Sequence, residues 1–291
     1  MIFQKEYNEA LQQVNEALKY CFVEHCDQGE LLEAMRYSLL AGGKRIRPVL
    51  LLKFCEACGG SVEAALPAAC GIEMLHTYSL IHDDLPLMDN DDLRRGVSTC
   101  HKVYGEANAL LAGDALQAAA FRAVLSCFAP AERVSAAAYT LAVAAGERGM
   151  CAGQYLDLCN EGEPLEIEDL QNINALKTGA LIRAACVMGV QLAGGTVEQI
   201  HAAEQFADNL GLAFQIQDDI LDVISNNETL GKNIGSDVNN HKVTFVSIRG
   251  VDACRNLVSR YTELAKAAVE SVFPNNTFLI ALAEAMAMRT K

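Results

Sequence analysis

The 291 residues are 51% hydrophobic and 6% aromatic, with six prolines and no tryptophan, enough to bury a sizeable core as one large domain or two smaller ones. Alanine and leucine prevail over runs of valine, isoleucine and threonine, the composition of long helices rather than sheets. A formal charge of -14 would repel polyanions, which excludes a general nucleic-acid or anionic-membrane surface but still allows a small anion held by clustered basic residues.

Apolar residues recur at spacings of three and four over residues 3–22, where the pattern is amphipathic and lacks the apolar core of a cleavable leader. The same periodicity predicts helices over 31–40, after Pro48, and over 62–84, 103–128, 132–149, 167–193, 197–224, 251–272 and 276–288. Breaks are expected at Gly42-Gly43, from Leu85 and Pro86 to Gly96, at 161–164, at 225–240 and at Pro274. No Pro/Gly/Ser-rich linker and no repeat divides the chain, so one helical domain over 1–291 is expected. No uncharged apolar run approaches the roughly 20 residues of a membrane span, so no membrane insertion is expected. Eleven cysteines without framework spacing imply reduced thiols and a cytoplasmic setting; Cys55 and Cys58 form a CxxC that reads as buried helix-end thiols.

Two helix ends are loaded with acid. Residues 81–92 read IHDDLPLMDNDD, gathering Asp83, Asp84, Asp89, Asp91 and Asp92 where a helix C-terminus already disfavours negative charge. A bound cation relieves that repulsion, and hard oxygen donors point to magnesium. On an unbroken helix Asp83 and Asp89 would diverge by about 120°; Pro86 is expected to end the helix and swing Asp89 back. In FQIQDDILD, Phe214 to Asp222, Asp218 and Asp222 are four apart and share a helix face, while Asp219 points elsewhere. Their neighbours are apolar, so these carboxylates are expected in a cavity rather than in bulk water.

Basic residues come in matching groups: Lys44 and Arg47 in GGKRIRP, Arg94 and Arg95 after the first acid run, and Lys232 and Lys242 around the loop after the second. Together they suit a diphosphate.

The ordered set GGKRIRP, HTYSLIHDDLPLMDNDDLRRG, GQYLDL, KTGAL, FQIQDDILD and GKNIGSD followed by HKVT resembles the trans-prenyltransferases, and the bacterial farnesyl diphosphate synthases in particular, over nearly the whole chain. The resemblance implies an all-α, isoprenoid synthase-type bundle around a central cavity, three Mg2+ ions with substrate bound, and a homodimer. It implies that Asp83, Asp89 and Asp218 ligate magnesium, supported by Asp84, Asp219 and Asp222. Lys44, Arg47, His76 and Arg95 would grip isopentenyl diphosphate, and Arg94, Lys177, Lys232 and Lys242 the allylic diphosphate. Thr178 and Gln215 would lie near the carbocation and Phe214 near the isopentenyl chain, with Gln154 and Asp157 close by. The implied reaction is ionisation, condensation and elimination, with no protein nucleophile. Tyr78, with Ser79, matches the position that stops the product at fifteen carbons; a twenty-carbon geranylgeranyl product is the alternative. His241 and the Ser236-Asp237-Val238 segment depart from the family's late-loop pattern.

A di-iron carboxylate bundle is the competing class, because Glu73 with His76 and Glu198 with His201 both fit Glu-x-x-His. It leaves the aspartate and basic clusters without a role. A terpene cyclase would not need Lys44, Arg47 and His76.

Overall fold

The structure is a computed structural model that describes residues 2–23, 29–162, 164–229 and 243–289, with backbone alone for 225–229. The chain forms two compact units: Met1–Leu141 with Met188–Gly194, and Ala142–Val187 with Gly195–Lys291.

The first unit begins with α1 (Ile2–Lys19), α2 (Gly29–Leu40), α3 (Ile46–Ala57) and α4 (Val62–Asp83). α1 is amphipathic and buries Ala10, Val14 and Leu18. α4 is apolar around much of its girth, and is sunk in the unit from Ala65 to Ile81. Ser61 caps it by accepting a hydrogen bond from the Ala64 amide at 3.1 Å. At its far end the Asp89 amide donates to the Asp83 carbonyl at 2.8 Å and the Asn90 amide to that of Leu85 at 3.1 Å. The helix therefore stops at the residues before Pro86, and the chain doubles back as the sequence predicts.

A two-residue hairpin follows, β1 (Leu93–Arg94) with β2 (Val97–Ser98), the only sheet among the described residues. Its turn places Arg95 at φ 54 and Gly96 at φ 81, the two positive angles of a type I′ turn. The expected helix over 103–128 is two helices, α5 (Cys100–Tyr104) and α6 (Glu106–Leu125), parted at Gly105, whose φ of 82 breaks the helical path. α6 packs closely on α4: a Cβ at Gly71 would lie 2.7 Å from the Ala120 carbonyl oxygen. α7 (Ala131–Ala145) continues the chain out of this unit.

In the second unit, the stretch around GQYLDL forms a separate helix, α8 (Met150–Cys159), that periodicity did not indicate. α9 (Ile167–Asn174), a π-turn at Ala175–Gly179 and α10 (Ala180–Ala193) run on as one element. Its 27 residues are long and apolar enough to cross a membrane, yet over half of its most apolar stretch is buried within the protein, as in a core helix. α11 (Val197–Thr229) extends past the expected end at 224. α12 (Phe245–Arg249), α13 (Val251–Glu270) and α14 (Thr277–Ala287) complete the unit. Leu170, Ile216, Ile220, Phe245, Cys254 and Val258 form a core cluster there, each large side chain contributing roughly 1.5–3 kcal/mol. The expectation of an all-α chain is met.

Candidate active site

The end of α4 and the hairpin position the first carboxylates. Asp84 is 3% exposed, whereas Asp89 is exposed and Asp83 only partly so. Arg94 grips Asp84 through both Nε, at 2.9 Å, and Nη2, at 2.5 Å, and its Nη2 also reaches Asp91 at 3.0 Å. Burial pushes the Asp84 carboxyl up, while the Arg94 guanidinium opposes the rise. Arg94, expected on the allylic diphosphate, is thus a forked clamp that fixes Asp84. Thr99 ties the loop down by donating from Oγ1 to the Asp91 carbonyl at 2.8 Å.

Beside this lies a basic pocket in the same unit. Sequence reasoning passed over its centre, Arg45, whose side chain is 1% exposed and donates to Glu73 Oε1 at 2.6 Å, to the Leu39 carbonyl at 2.7 Å and to Asn15 Oδ1 at 3.2 Å. Arg95 donates to the Gly42 carbonyl and lies 3.8 Å from Glu73. The glycine pair is needed here: Gly42 and Gly43 have φ of 90 and 126, and a Cβ on Gly43 would lie 2.8 Å from Arg95 Cζ. Arg47 has a buried Nε with no hydrogen-bond partner among the described residues. Burial lowers Arg47 to about 10, with Arg95 adding to the fall and Glu73 opposing it. Tyr7 donates its hydroxyl to the Lys44 carbonyl, and burial first, then Glu73, pushes it up to about 12. Arg47, His76 and Arg95 therefore lie within electrostatic reach of one another and of the Arg45–Glu73 pair, with Lys44 exposed next to Arg45 in the chain. The positive charge gathered there, part of it exposed on Arg95, and the unpaired Arg47 donor suit an oxyanion.

His76 is held far below its ordinary pKa, chiefly by burial and then by Arg47, Arg95, Arg45 and Arg94. The unfolded chain takes up this proton first as pH falls past about 6.5. Stability from His76 is therefore complete above that pH and declines below it, until the folded pKa is reached. His76→Gln is expected to flatten that acid-side decline, measured as urea midpoints across the range from about pH 7.5 down to 5.5.

In the second unit, Lys177 and Thr178 sit in the π-turn, a local widening frequent at functional sites. Lys177 Nζ donates to Asp157 Oδ2 at 2.6 Å, and Gln154 Nε2 is buried without a hydrogen-bond partner among the described residues. Gln215 Nε2 donates to Asp219 Oδ1 at 3.3 Å, and the Phe245 amide donates to Asp219 Oδ2 at 2.8 Å. Asp219 thus supports the backbone, Asp218 takes a cation, and Asp222 is exposed. The cation is Arg289, 2.6 Å from Asp218 Oδ1, which also donates to the Phe214 carbonyl at 2.9 Å and stacks 3.8 Å from the Phe214 ring centroid. No motif announced Arg289. Lys232, Lys242, His241 and 236–238 lie outside the described residues.

Tyr78 is 7% exposed on α4 and meets His82 edge-on, with ring centroids 5.3 Å apart. His82 Nε2 is in turn 3.0 Å from the Leu110 carbonyl oxygen. Ser79 donates to the His76 carbonyl at 2.8 Å.

The carboxylates fit magnesium better than a protein-caged metal. Among the described residues no three His, Cys, Asp or Glu side chains are grouped to hold an ion by themselves. Magnesium keeps several waters and takes one or two carboxylates plus substrate phosphates; Asp83 and Asp89 offer such carboxylates in the first unit and, taken by itself, Asp218 does in the second. Asp218 already accepts a guanidinium cation. The di-iron alternative loses its ligands: Glu73 is committed to Arg45, and His201 is exposed, 3.1 Å from Glu204.

A helical chain with carboxylates at two helix ends and a buried arginine–histidine pocket defines an enzyme that handles small organic diphosphates. The chain matches the polyprenyl synthetase family over residues 28–272 and belongs to that family, whose members are prenyltransferases. It is 45% identical over 261 residues to a chloroplastic geranylgeranyl pyrophosphate synthase of Catharanthus roseus, covering 88% of this chain and 73% of that one. It is 46% identical over 266 residues to a dimethylallyltranstransferase of Fischerella ambigua, covering 90% and 76%. Among solved structures, an FPP/GFPP synthase from Zymomonas mobilis superposes with a TM-score of 0.87 at 32% identity, over 98% of both chains. The fold is the all-α isoprenoid synthase type.

Proposed function

We propose that this prenyltransferase joins isopentenyl diphosphate head to tail to an allylic diphosphate, lengthening it by five carbons per turn. The pocket of Arg47, His76 and Arg95 around the Arg45–Glu73 pair carries this reading, because an excess of guanidinium beside an aspartate-rich helix end calls for a diphosphate. In this reading Lys44, Arg47, His76 and Arg95 hold isopentenyl diphosphate. Asp83, Asp89 and Asp218 would hold up to three Mg2+ ions, with Asp84 and Asp222 in support, and bound magnesium would stabilise charge gathering on the leaving diphosphate. Lys177, Lys232 and Lys242 add cationic contacts to that leaving group. Arg94 joins them on the allylic diphosphate from its place on Asp84. Thr178 and Gln215 present oxygen dipoles to the allylic cation, the isopentenyl double bond attacks it, and the released diphosphate accepts the proton. Apolar walls including Phe214 keep water from quenching the cation.

On product length, the more similar relatives favour twenty carbons over the fifteen expected from the sequence, and geranylgeranyl diphosphate is the leading product. Tyr78 supports fifteen: its buried ring lies five residues before Asp83, roughly 7.5 Å along α4, where it would floor a chain growing from the aspartates. Either way Tyr78→Ala is expected to lengthen the parent's product by at least one five-carbon unit, read by chromatography of the dephosphorylated alcohols. The exposed Leu111, Leu125, Phe128 and Tyr139 support the homodimer, and the lack of framework spacing among the eleven cysteines supports a cytoplasmic location. The reading is tested by incubating the protein with isopentenyl and dimethylallyl diphosphates and Mg2+. Allylic products of ten carbons or more are expected, and recovery of only the five-carbon substrates would overturn it.

A further inference from the structure

The proposed reaction gives Arg289 no role, yet its guanidinium lies on one of the proposed metal carboxylates. Arg289 stands just beyond the end of α14 at Ala287, and Gln217 Nε2 ties its carbonyl to α11 at 3.1 Å. The guanidinium packs on the Phe214 ring, and Nη2 donates both to the Phe214 carbonyl at 2.9 Å and to Asp218 Oδ1 at 2.6 Å. Its side chain is 11% exposed, whereas that of Asp218 is 42% exposed and open to ions from solvent.

The contact with Asp218 is incomplete. Elsewhere on α11, Arg183 holds Asp208 with two prongs, Nε to Oδ1 at 2.8 Å and Nη2 to Oδ2 at 2.5 Å, the matched fork of a lasting guanidinium–carboxylate pair. Arg289 instead reaches a carbonyl and a carboxylate with one nitrogen, and its buried Nε has no hydrogen-bond partner among the described residues. The ring and carbonyl of Phe214 anchor it independently of Asp218, so the guanidinium can give up the carboxylate without leaving its seat. Asp219 follows Asp218 directly and Asp222 lies about one turn on. A cation on Asp218 therefore offsets repulsion within the cluster when no metal is there.

We propose that Arg289 is a positioning residue: it holds Asp218 as a stand-in cation and yields the carboxylate to Mg2+ when a diphosphate is bound. This role rests on the diphosphate reading of the site. Mg2+ takes carboxylate oxygens at about 2.0–2.1 Å. On Oδ1 it would crowd the guanidinium nitrogen that stands 2.6 Å away, and the two positive charges repel. The small, doubly charged ion prevails at a hard oxygen, while the weakly hydrated guanidinium keeps its stacking on Phe214. Linkage makes the competition reciprocal: whatever the Arg289–Asp218 contact adds to the stability of the metal-free protein, it takes from the affinity for Mg2+.

The test is a calorimetric titration of Mg2+ into the full chain at a fixed excess of a non-ionising allylic diphosphate analogue. Arg289→Gln, which removes the charge, is expected to reach half-saturation at about one-third of the parent's Mg2+ concentration or less, and Arg289→Lys to stay nearer the parent. Urea unfolding supplies a second readout, one that a mere staple on the C-terminal segment would not move. The midpoint of Arg289→Gln is expected to fall below the parent's without Mg2+, and the gap to narrow once Mg2+ and the analogue are present. An equal gap in both conditions, or an Mg2+ requirement in Arg289→Gln equal to or above the parent's, would overturn the role of Arg289 and leave the diphosphate site standing. A parent that shows no Mg2+-dependent binding of the analogue would overturn the diphosphate reading itself, and this role with it.

Discussion

Replacing Glu73 by glutamine is expected to lower the stability of the protein by about 3–5 kcal/mol, the usual loss when one member of a buried ion pair is removed. Glu73 faces Arg45, at 2.6 Å, and Arg95, at 3.8 Å, and its charge also reaches Arg47. Its side chain is 2% exposed, so water cannot take its place. By contrast, exposed pairs such as Lys5 with Glu9, 78% and 60% exposed, contribute about 0–1 kcal/mol each. Urea unfolding of Glu73→Gln and Lys5→Gln separates the cases. A Glu73→Gln midpoint close to the parent's would show that the arginines are neutralised from elsewhere. Anions are also expected to stabilise the variant more than the parent, because diphosphate and Glu73 compensate the same positive charge.

Gly153→Ala is expected to cut turnover by about a hundredfold while leaving most helix content in place. A Cβ there would lie 2.2 Å from the Lys177 backbone nitrogen, 2.6 Å from its Cα and 2.7 Å from the Leu176 carbonyl carbon. These are backbone atoms with no flexible end to move aside, so either α8 or the π-turn must shift by about an ångström. The π-turn carries Lys177 and Thr178, and Lys177 is held to α8 through Asp157 at 2.6 Å. Displacing it moves the proposed leaving-group contact, Lys177, and the proposed carbocation dipole, Thr178, together. Steady-state kinetics with a saturating allylic substrate and circular dichroism check this. Parent-like turnover in a folded variant would remove the π-turn from the mechanism.

The fold was legible where the signal was local. Pro86 predicted both the stop of α4 and the return of Asp89 to Asp83, because proline restricts the residue before it regardless of distant packing. The glycine pair at 42 and 43 predicted a special backbone. The split at Gly105 escaped notice because apolar periodicity passes smoothly through it, and α8 because its ten residues are too few to show a clear period. In the site, residue types were legible but pairings were not. Arg94 and Asp84 are ten residues apart, and Arg45 and Glu73 are 28 apart; nothing in a local pattern says which cation meets which carboxylate. Arg289 reaches Phe214 across 75 residues from outside every motif, so only the folded chain reveals it beside Asp218.

The proposed reaction requires the carboxylates of both helix ends to act on one substrate. Titration calorimetry of a non-ionising allylic diphosphate analogue at fixed Mg2+, on the parent, Asp83→Asn, Asp218→Asn and the double variant, tests it most directly. Each single change is predicted to weaken binding by about tenfold or more, and the double variant to fall short of the summed losses by at least about 0.5 kcal/mol. Losses that simply add, or an Asp218→Asn protein that binds like the parent, would mean that the two aspartate-rich segments serve different ligands.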